Sequence, residues 1–248
     1  MERIAVVTDT GSNLSFAQAK ELGIYLLPLQ ITIDETTYQD TLEISTQDIY
    51  NELANGKMPK TSMAAYQKIY DLFEELKKDY DTIFAVPLTN GLSTNASTMQ
   101  SIARELEMNV HVIDMYATCA LEKHVAIWIK RLVDEHKSSE EILKIIQPAI
   151  DESNSLILVK NLQHLKRGGR LTPMAAALAG LLKIYPVLHI NKSTEGRIDV
   201  LNKVRTEKRA DAYAIDKIMD DIDIQHTHIY IIHSNFLEGA DHFKKCLA

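Results

Sequence analysis

The chain has 248 residues, 46% apolar and 25% charged, which suits one large or two modest domains and excludes disordered and fibrous classes. Its net charge of −7 argues against a general nucleic-acid binder, which needs clustered basic surface to neutralise phosphates. The two cysteines, Cys119 and Cys246, stand far apart and outside any CxxC or Cys/His array, so they form no disulfide scaffold, zinc ribbon or redox dithiol.

The N-terminus, "MERIAVVTDT", enters a β-branched run directly without a signal-type apolar core, and on that reading the protein is cytoplasmic. Strand-like runs at 4–7, 25–33, 82–86 and 110–113 alternate with helical patterns near 15–22, 45–56, 64–78, 94–107 and 118–135. Such alternation predicts an α/β domain of three layers, α/β/α, with a mostly parallel sheet. In open sheets of this kind ligands bind beyond the carboxyl ends of the strands, which makes "TDTGSN" and "LTNGLST" candidate site loops.

The polar run "DESNS" interrupts the pattern and sets the expected boundary, giving domains 1–152 and 153–248. Beyond it come a strand and turn, "LILVKNLQHLKRGG", a small-residue helix, "PMAAALAGLL", and two strands, "IYPVLHI" and "GRIDVLNKV", joined by the turn "NKSTEG". A helix from Thr206, its expected N-cap, a strand at "HIYIIHS" and a last helix complete an α+β domain with a mixed sheet. "LTPMAAALAGLL" is interrupted by Pro173 and falls well short of the roughly 20 apolar residues that span a bilayer, so no membrane span is expected.

Ser93, in "TNGLSTNAS", admits three readings. A hydrolase nucleophile would sit in G-x-S-x-G, but here Asn95 replaces the second glycine and nothing places a histidine beside the serine. A hydroxyl before a helical run is more simply an N-cap. The same helix start, with free N–H groups and a positive dipole end, also lets Ser93 and Thr94 bind a carboxylate or phosphate. Thr61 and Ser62, in "MPKTSMAAYQ", repeat the arrangement at the start of another helix.

Asp9 has no second carboxylate close in sequence, which disfavours a metal site there. His226 and His228 are two apart on the expected strand, with His233 beyond, and read as an exposed face before they read as metal ligands. In "LKRGGRLTP", Gly168 and Gly169 permit unusual backbone, and Arg167 and Arg170 offer guanidinium forks suited to carboxylate or phosphate. With Lys160 and Lys166 they form one basic cluster, and Lys203, Arg205, Lys208 and Arg209 form another, so a phosphate-ligand module is an alternative.

In order along the chain, "VVTDTGSNLS", "PKTSMAAYQ", "TNGLSTNAS" and "LKRGGRLT…GLLKIYPVLHI…GRIDVLNKVRTEKRA" resemble the motifs of the DegV family of bacterial fatty-acid-binding proteins. The resemblance implies two α/β domains, an acyl chain buried in the first, and a carboxylate held near the domain interface. It implies no cofactor and no catalytic residue: the bound long-chain fatty acid is presented to a separate fatty acid kinase, which makes the acyl phosphate. By position, Thr61 or Ser62 with Ser93 and Thr94 would hold the head group, Arg170 would be a nearby positive contact, and Arg205 would face the kinase. Transient contact with a membrane surface is compatible with this role.

The sequence departs from the family pattern at "TSMAA", which lacks a proline, and at "GLSTN". Members usually continue into another strand and a glycine-rich segment carrying a histidine, which the expected second domain lacks after "EGADHFKKCLA".

Overall fold

The computed structural model describes residues 2–223 and 226–247. The chain divides into two units, Met1–Ser153 and Asn154–Ala248.

Side-chain alternation along β1 (Ile4–Asp9) organises the first unit. Successive residues of a strand point to opposite faces of its sheet. Ile4 and Val6, with Phe84 and Val86 of β6 (Thr82–Val86), belong to one core cluster; Ala5 and Val7, with Ile83 and Ala85, belong to the other. Both strands are buried on every residue, as in a parallel sheet covered on both sides. The first face packs α5 (Ala120–Asp134) and α6 (Ser139–Glu152) through Val125, Ala126, Ile129, Ile142 and Ile146. The second packs α3 (Tyr66–Leu76) and α4 (Asn95–Glu105) through Ile69, Phe73, Met99 and Ile102. Each of these side chains larger than alanine, fully buried, contributes about 1.5–3 kcal/mol of transfer free energy.

The sheet has the order β2-β1-β6-β7, with β2 at Tyr25–Leu27 and β7 at Asn109–Val112, and every pairing is parallel. α1 (Phe16–Leu22) enters through a capping box, Ser15 with Gln18, and leaves through Gly23 at φ 67°.

The run 25–33, predicted as one strand, is two. Pro28 has no N–H to continue the ladder, so β2 ends at Leu27. β3 (Gln30–Ile33) then joins a second, antiparallel sheet of order β4-β3-β5, which the sequence reading missed. β4 is Thr36–Gln39 and β5 is Lys60–Ser62. Ile31 and Ile33 pack there with Ile44, Tyr38 and Ile49, the last from α2 (Thr46–Ala54).

In the second unit β8 (Asn154–Leu158), β9 (Tyr185–Asn191) and β10 (Asp199–Val204) form a three-stranded sheet in the order β10-β9-β8, antiparallel at both junctions. The predicted β9–β10 hairpin is present. Its turn is closed by Asn191, whose side chain accepts from the Thr194 N–H at 3.2 Å. α7 (Leu162–Arg167) and α8 (Pro173–Leu178) lie between β8 and β9, and α9 (Glu207–Asp221) is capped by Thr206, which accepts from the Arg209 N–H at 3.3 Å.

The predicted strand at 228–234 does not form. Ile229, Tyr230, Ile231 and Ile232 are exposed and outside any ladder. β-branched residues favour a strand only where a neighbouring strand meets them; the sheet, expected to be mixed, is antiparallel throughout its three described strands. α10 (Leu237–Leu247) follows. Among the described residues, no helix is long and apolar enough to cross a membrane.

Candidate ligand site at the carboxyl edge of the parallel sheet

Three loops leave the carboxyl ends of the parallel strands: 10–15 after β1, 87–94 after β6 and 113–119 after β7. Backbone-directed hydrogen bonds tie them together. Asp9 Oδ1 accepts from the Gly11 N–H at 2.8 Å, and Asp9 Oδ2 accepts from the Leu88 N–H at 2.9 Å and the Asn95 side-chain amide at 2.6 Å. Asp114 joins the other pair, accepting from the Asn90 N–H at 3.0 Å and the Tyr116 N–H at 2.8 Å. The Cys119 N–H donates to the Gly11 carbonyl at 3.0 Å.

Ser93 is half-buried on the middle loop. The Leu92 and Ser93 N–H groups both donate to the Thr89 carbonyl at 3.0 Å, folding the loop back before α4. Ser93 Oγ accepts from the Asn95 N–H at 3.2 Å, so the hydroxyl does satisfy a donor at the helix start, two residues on. Thr94 holds the N-cap position itself, without a side-chain cap. Its hydroxyl donates to the Met63 sulfur at 3.3 Å, as does that of Thr98.

Met63 follows β5, and this thioether therefore brings the "KTS" and "GLST" stretches together. Thr61 and Ser62 do not start a helix: they pair with Ile31 and Gln30 in the antiparallel sheet, and α3 begins later, at Tyr66, with Ala65 as its uncapped N-cap. Both are exposed. The Met63 carbonyl accepts from the Gln30 side chain at 2.9 Å, fixing the end of β5.

Asn95 points inward. It is fully buried against Asp9, so its departure from the family motif alters the scaffold under the loop, not the loop's outer surface. Near Asp9 lies Glu122, also fully buried, with Oε1 3.2 Å from Thr8 Oγ1. The second carboxylate that Asp9 lacked in sequence is thus supplied by α5. Glu122 sits three, four and seven residues before Val125, Ala126 and Ile129, on the helix's apolar stripe, and a charge at that spacing was the available signal. Burial, with the Asp9 charge next, pushes the Glu122 carboxyl well above the usual range; burial also raises Asp9. Among the described residues, no group of three or more His, Cys, Asp or Glu side chains could hold a metal ion.

Of the first unit's histidines, His111 meets Phe84 with centroids 4.9 Å apart and the rings tilted by 40°, and burial lowers its pKa; the His124 and Trp128 ring centroids lie 6.2 Å apart. Cys119 precedes α5 at φ 57°, and burial pushes its thiol up.

In the second unit, Arg170 is half-buried and donates to the Gly168 carbonyl. Only Gly169 of the glycine pair uses left-handed backbone, at φ 75°. Arg205 is exposed between β10 and α9. Lys160, from the first basic cluster, pairs with Glu207 and lies 4.6 Å over the Phe236 ring. His226 pairs with Asp223 at 2.8 Å, and neither it nor His228 stands on a strand.

The family model described as "Uncharacterised protein, DegV family" matches residues 3–248. A DegV domain-containing protein of Caldanaerobacter subterraneus subsp. tengcongensis is 32% identical over 252 residues, covering 100% of this chain and 88% of its own length. The fold is similar to that of a fatty acid binding DegV family protein from Streptococcus agalactiae. That match has a TM-score of 0.88 and 28% identity, over 100% of this chain and 88% of the other. It is also similar to DegV, a fatty acid binding protein from Bacillus subtilis, with a TM-score of 0.80 and 28% identity over 89% and 78% of the two chains. The chain belongs to the DegV family.

Proposed function

We propose that this protein binds a long-chain fatty acid and holds its carboxylate at the Ser93 loop. The observation that carries the reading is the half-buried Ser93 hydroxyl at the start of α4, on a loop strapped to its neighbours by Asp9 and Asp114. Fatty acid binding by the similar proteins of S. agalactiae and B. subtilis supports it. A carboxylate can leave water only where donors replace its hydration; Ser93, Thr61 and Ser62 carry such donors, and Thr94 becomes one by turning its hydroxyl from the weakly accepting Met63 sulfur that joins the two segments. An acyl chain gains about 0.8 kcal/mol per buried CH₂ before ordering costs.

Arg170, in "KRGGR" of the second unit, carries a guanidinium of the kind that binds a carboxylate. The protein presents the bound carboxylate to a separate fatty acid kinase and carries the acyl phosphate, with no catalysis of its own; exposed Arg205 faces that kinase. Leu182, 90% exposed beside exposed Leu181, supplies apolar surface suited to transient contact with a membrane while lipid is exchanged. The contact of Ser93 Oγ with the Asn95 N–H favours binding over ester hydrolysis, which would need a base there.

Native mass spectrometry of the purified protein, followed by denaturing extraction, is expected to release one fatty acid per chain. Protein that stays lipid-free after loading overturns the reading. With a fatty acid kinase and ATP, Arg205→Glu should reduce acyl phosphate formation while sparing lipid binding.

A further inference from the structure

Beneath the Ser93 loop two carboxyl groups are buried side by side. The titratable groups facing Glu122 are Asp9 at the end of β1 and Cys119 in the turn before α5. β6 and its following loop contribute Val86 and Leu88, which do not titrate, and α6 meets α5 through apolar side chains such as Ile142 and Ile146.

Hydrogen counting constrains the state of this pair. The Thr8 hydroxyl lies 2.6 Å from the Val86 carbonyl and 3.2 Å from Glu122 Oε1, and it has one hydrogen, which the shorter contact takes. Glu122 Oε2 meets no donor among the described residues, and its carboxyl neighbour is Asp9. Two ionised carboxylates are acceptors only and repel. A hydrogen bond between them, or from Glu122 to Thr8, needs a hydrogen on Glu122. Asp9 is different, because it already receives three donors: the Gly11 and Leu88 N–H groups and the Asn95 amide.

We propose that Glu122 is a positioning residue for the head-group loop: it retains a proton, donates it to Asp9, and leaves Asp9 as one buried anion that gathers Gly11, Leu88 and Asn95 and so sets Ser93. This inference rests on the reading of the Ser93 loop as the carboxylate site. Loss of the proton from Glu122 places a second negative charge against Asp9. The loop is then pulled from the geometry that receives the ligand, and affinity for an anionic head group falls with rising pH.

The test compares wild type with Glu122→Gln, which keeps a donor, and Glu122→Met, which keeps the volume without one. Infrared spectra in water and deuterium oxide should show a protonated buried carboxyl at neutral pH that disappears in both variants. Its absence from wild type overturns the proposal. Palmitate affinity, followed from neutral to alkaline pH, should fall in wild type but stay flat in Glu122→Gln. At neutral pH Glu122→Met should bind about ten- to a hundredfold more weakly than Glu122→Gln, through disturbance of a charge-assisted network. Equal affinities and an unchanged pH profile in the two variants also overturn it. Backbone chemical shifts of Leu88, Ser93 and Asn95, read without lipid, should move in Glu122→Met more than in Glu122→Gln. If wild type fails to bind palmitate the site reading falls, while the infrared band and these shifts still decide the Glu122 assignment.

Discussion

The Asn95 amide donates to Asp9 Oδ2 at 2.6 Å across 86 residues of sequence, so the residue that follows Ser93 and Thr94 is spent on the scaffold. The hydroxyls remain on the outer side of that contact, Ser93 half-buried and Thr94 exposed.

Asn95→Ala should destabilise the protein by about 1.5–3 kcal/mol, the usual loss when a hydrogen bond to a charged group is removed from a buried site. Urea unfolding measures it. An unchanged midpoint with weakened fatty acid binding would mean that Asn95 contacts the ligand instead.

Ser93→Ala should show the reverse balance. Folding loses only the 3.2 Å contact with the Asn95 N–H, about 0.5–1.5 kcal/mol. Fatty acid binding loses a donor to a carboxylate, about 1.5–3 kcal/mol, or roughly a ten- to hundredfold rise in Kd by calorimetry. Binding equal to wild type would remove Ser93 from the site.

Stability should fall as pH rises above the ordinary glutamate value of 4.5. Burial and the neighbouring Asp9 raise the folded-state pKa of Glu122, so in that window the native state holds a proton that the unfolded chain has released. The slope of unfolding free energy against pH is therefore negative until Glu122 ionises in the folded protein. Buried Asp9, also raised, contributes with the same sign. Glu122→Gln should flatten the profile in thermal melts between mildly acidic and alkaline pH. An equally steep profile in that variant would assign the slope to other groups.

The layered α/β first unit was legible because β1, α3 and α5 carry their periodicities openly, and the loops after β1 and β6 follow from where strands end. The antiparallel sheet was hidden by short strands: β5 has three residues, all exposed, and "KTS" carries no strand pattern. Pro28 was a readable break within the run 25–33. The Asp9–Glu122 pair joins positions more than a hundred residues apart, and only the misplaced charge on an apolar helix stripe hinted at it. "HIYIIHS" erred in the other direction, since its composition announces a strand and the ladder it needs is not there.

Gly169→Ala should cost roughly 1–2 kcal/mol, because φ 75° is left-handed backbone that a Cβ disfavours. Gly168, at φ −64°, should tolerate alanine better, although the Leu165 carbonyl lies 3.1 Å from the added carbon. Chemical unfolding of the two variants side by side checks the order; equal losses would mean that crowding, not backbone handedness, governs the turn.

The position of β1 in its sheet also governs how the chain can be made. Ile4 pairs with Thr82, so β1 leaves the ribosome 78 residues ahead of its β6 neighbour. At about 5–20 residues per second this is roughly 4–16 s of synthesis. For that interval a strand that opens with four apolar residues, Ile4 to Val7, has only the three-residue β2 as a sheet partner. The nascent first unit therefore waits for the same strand that later delivers Ser93.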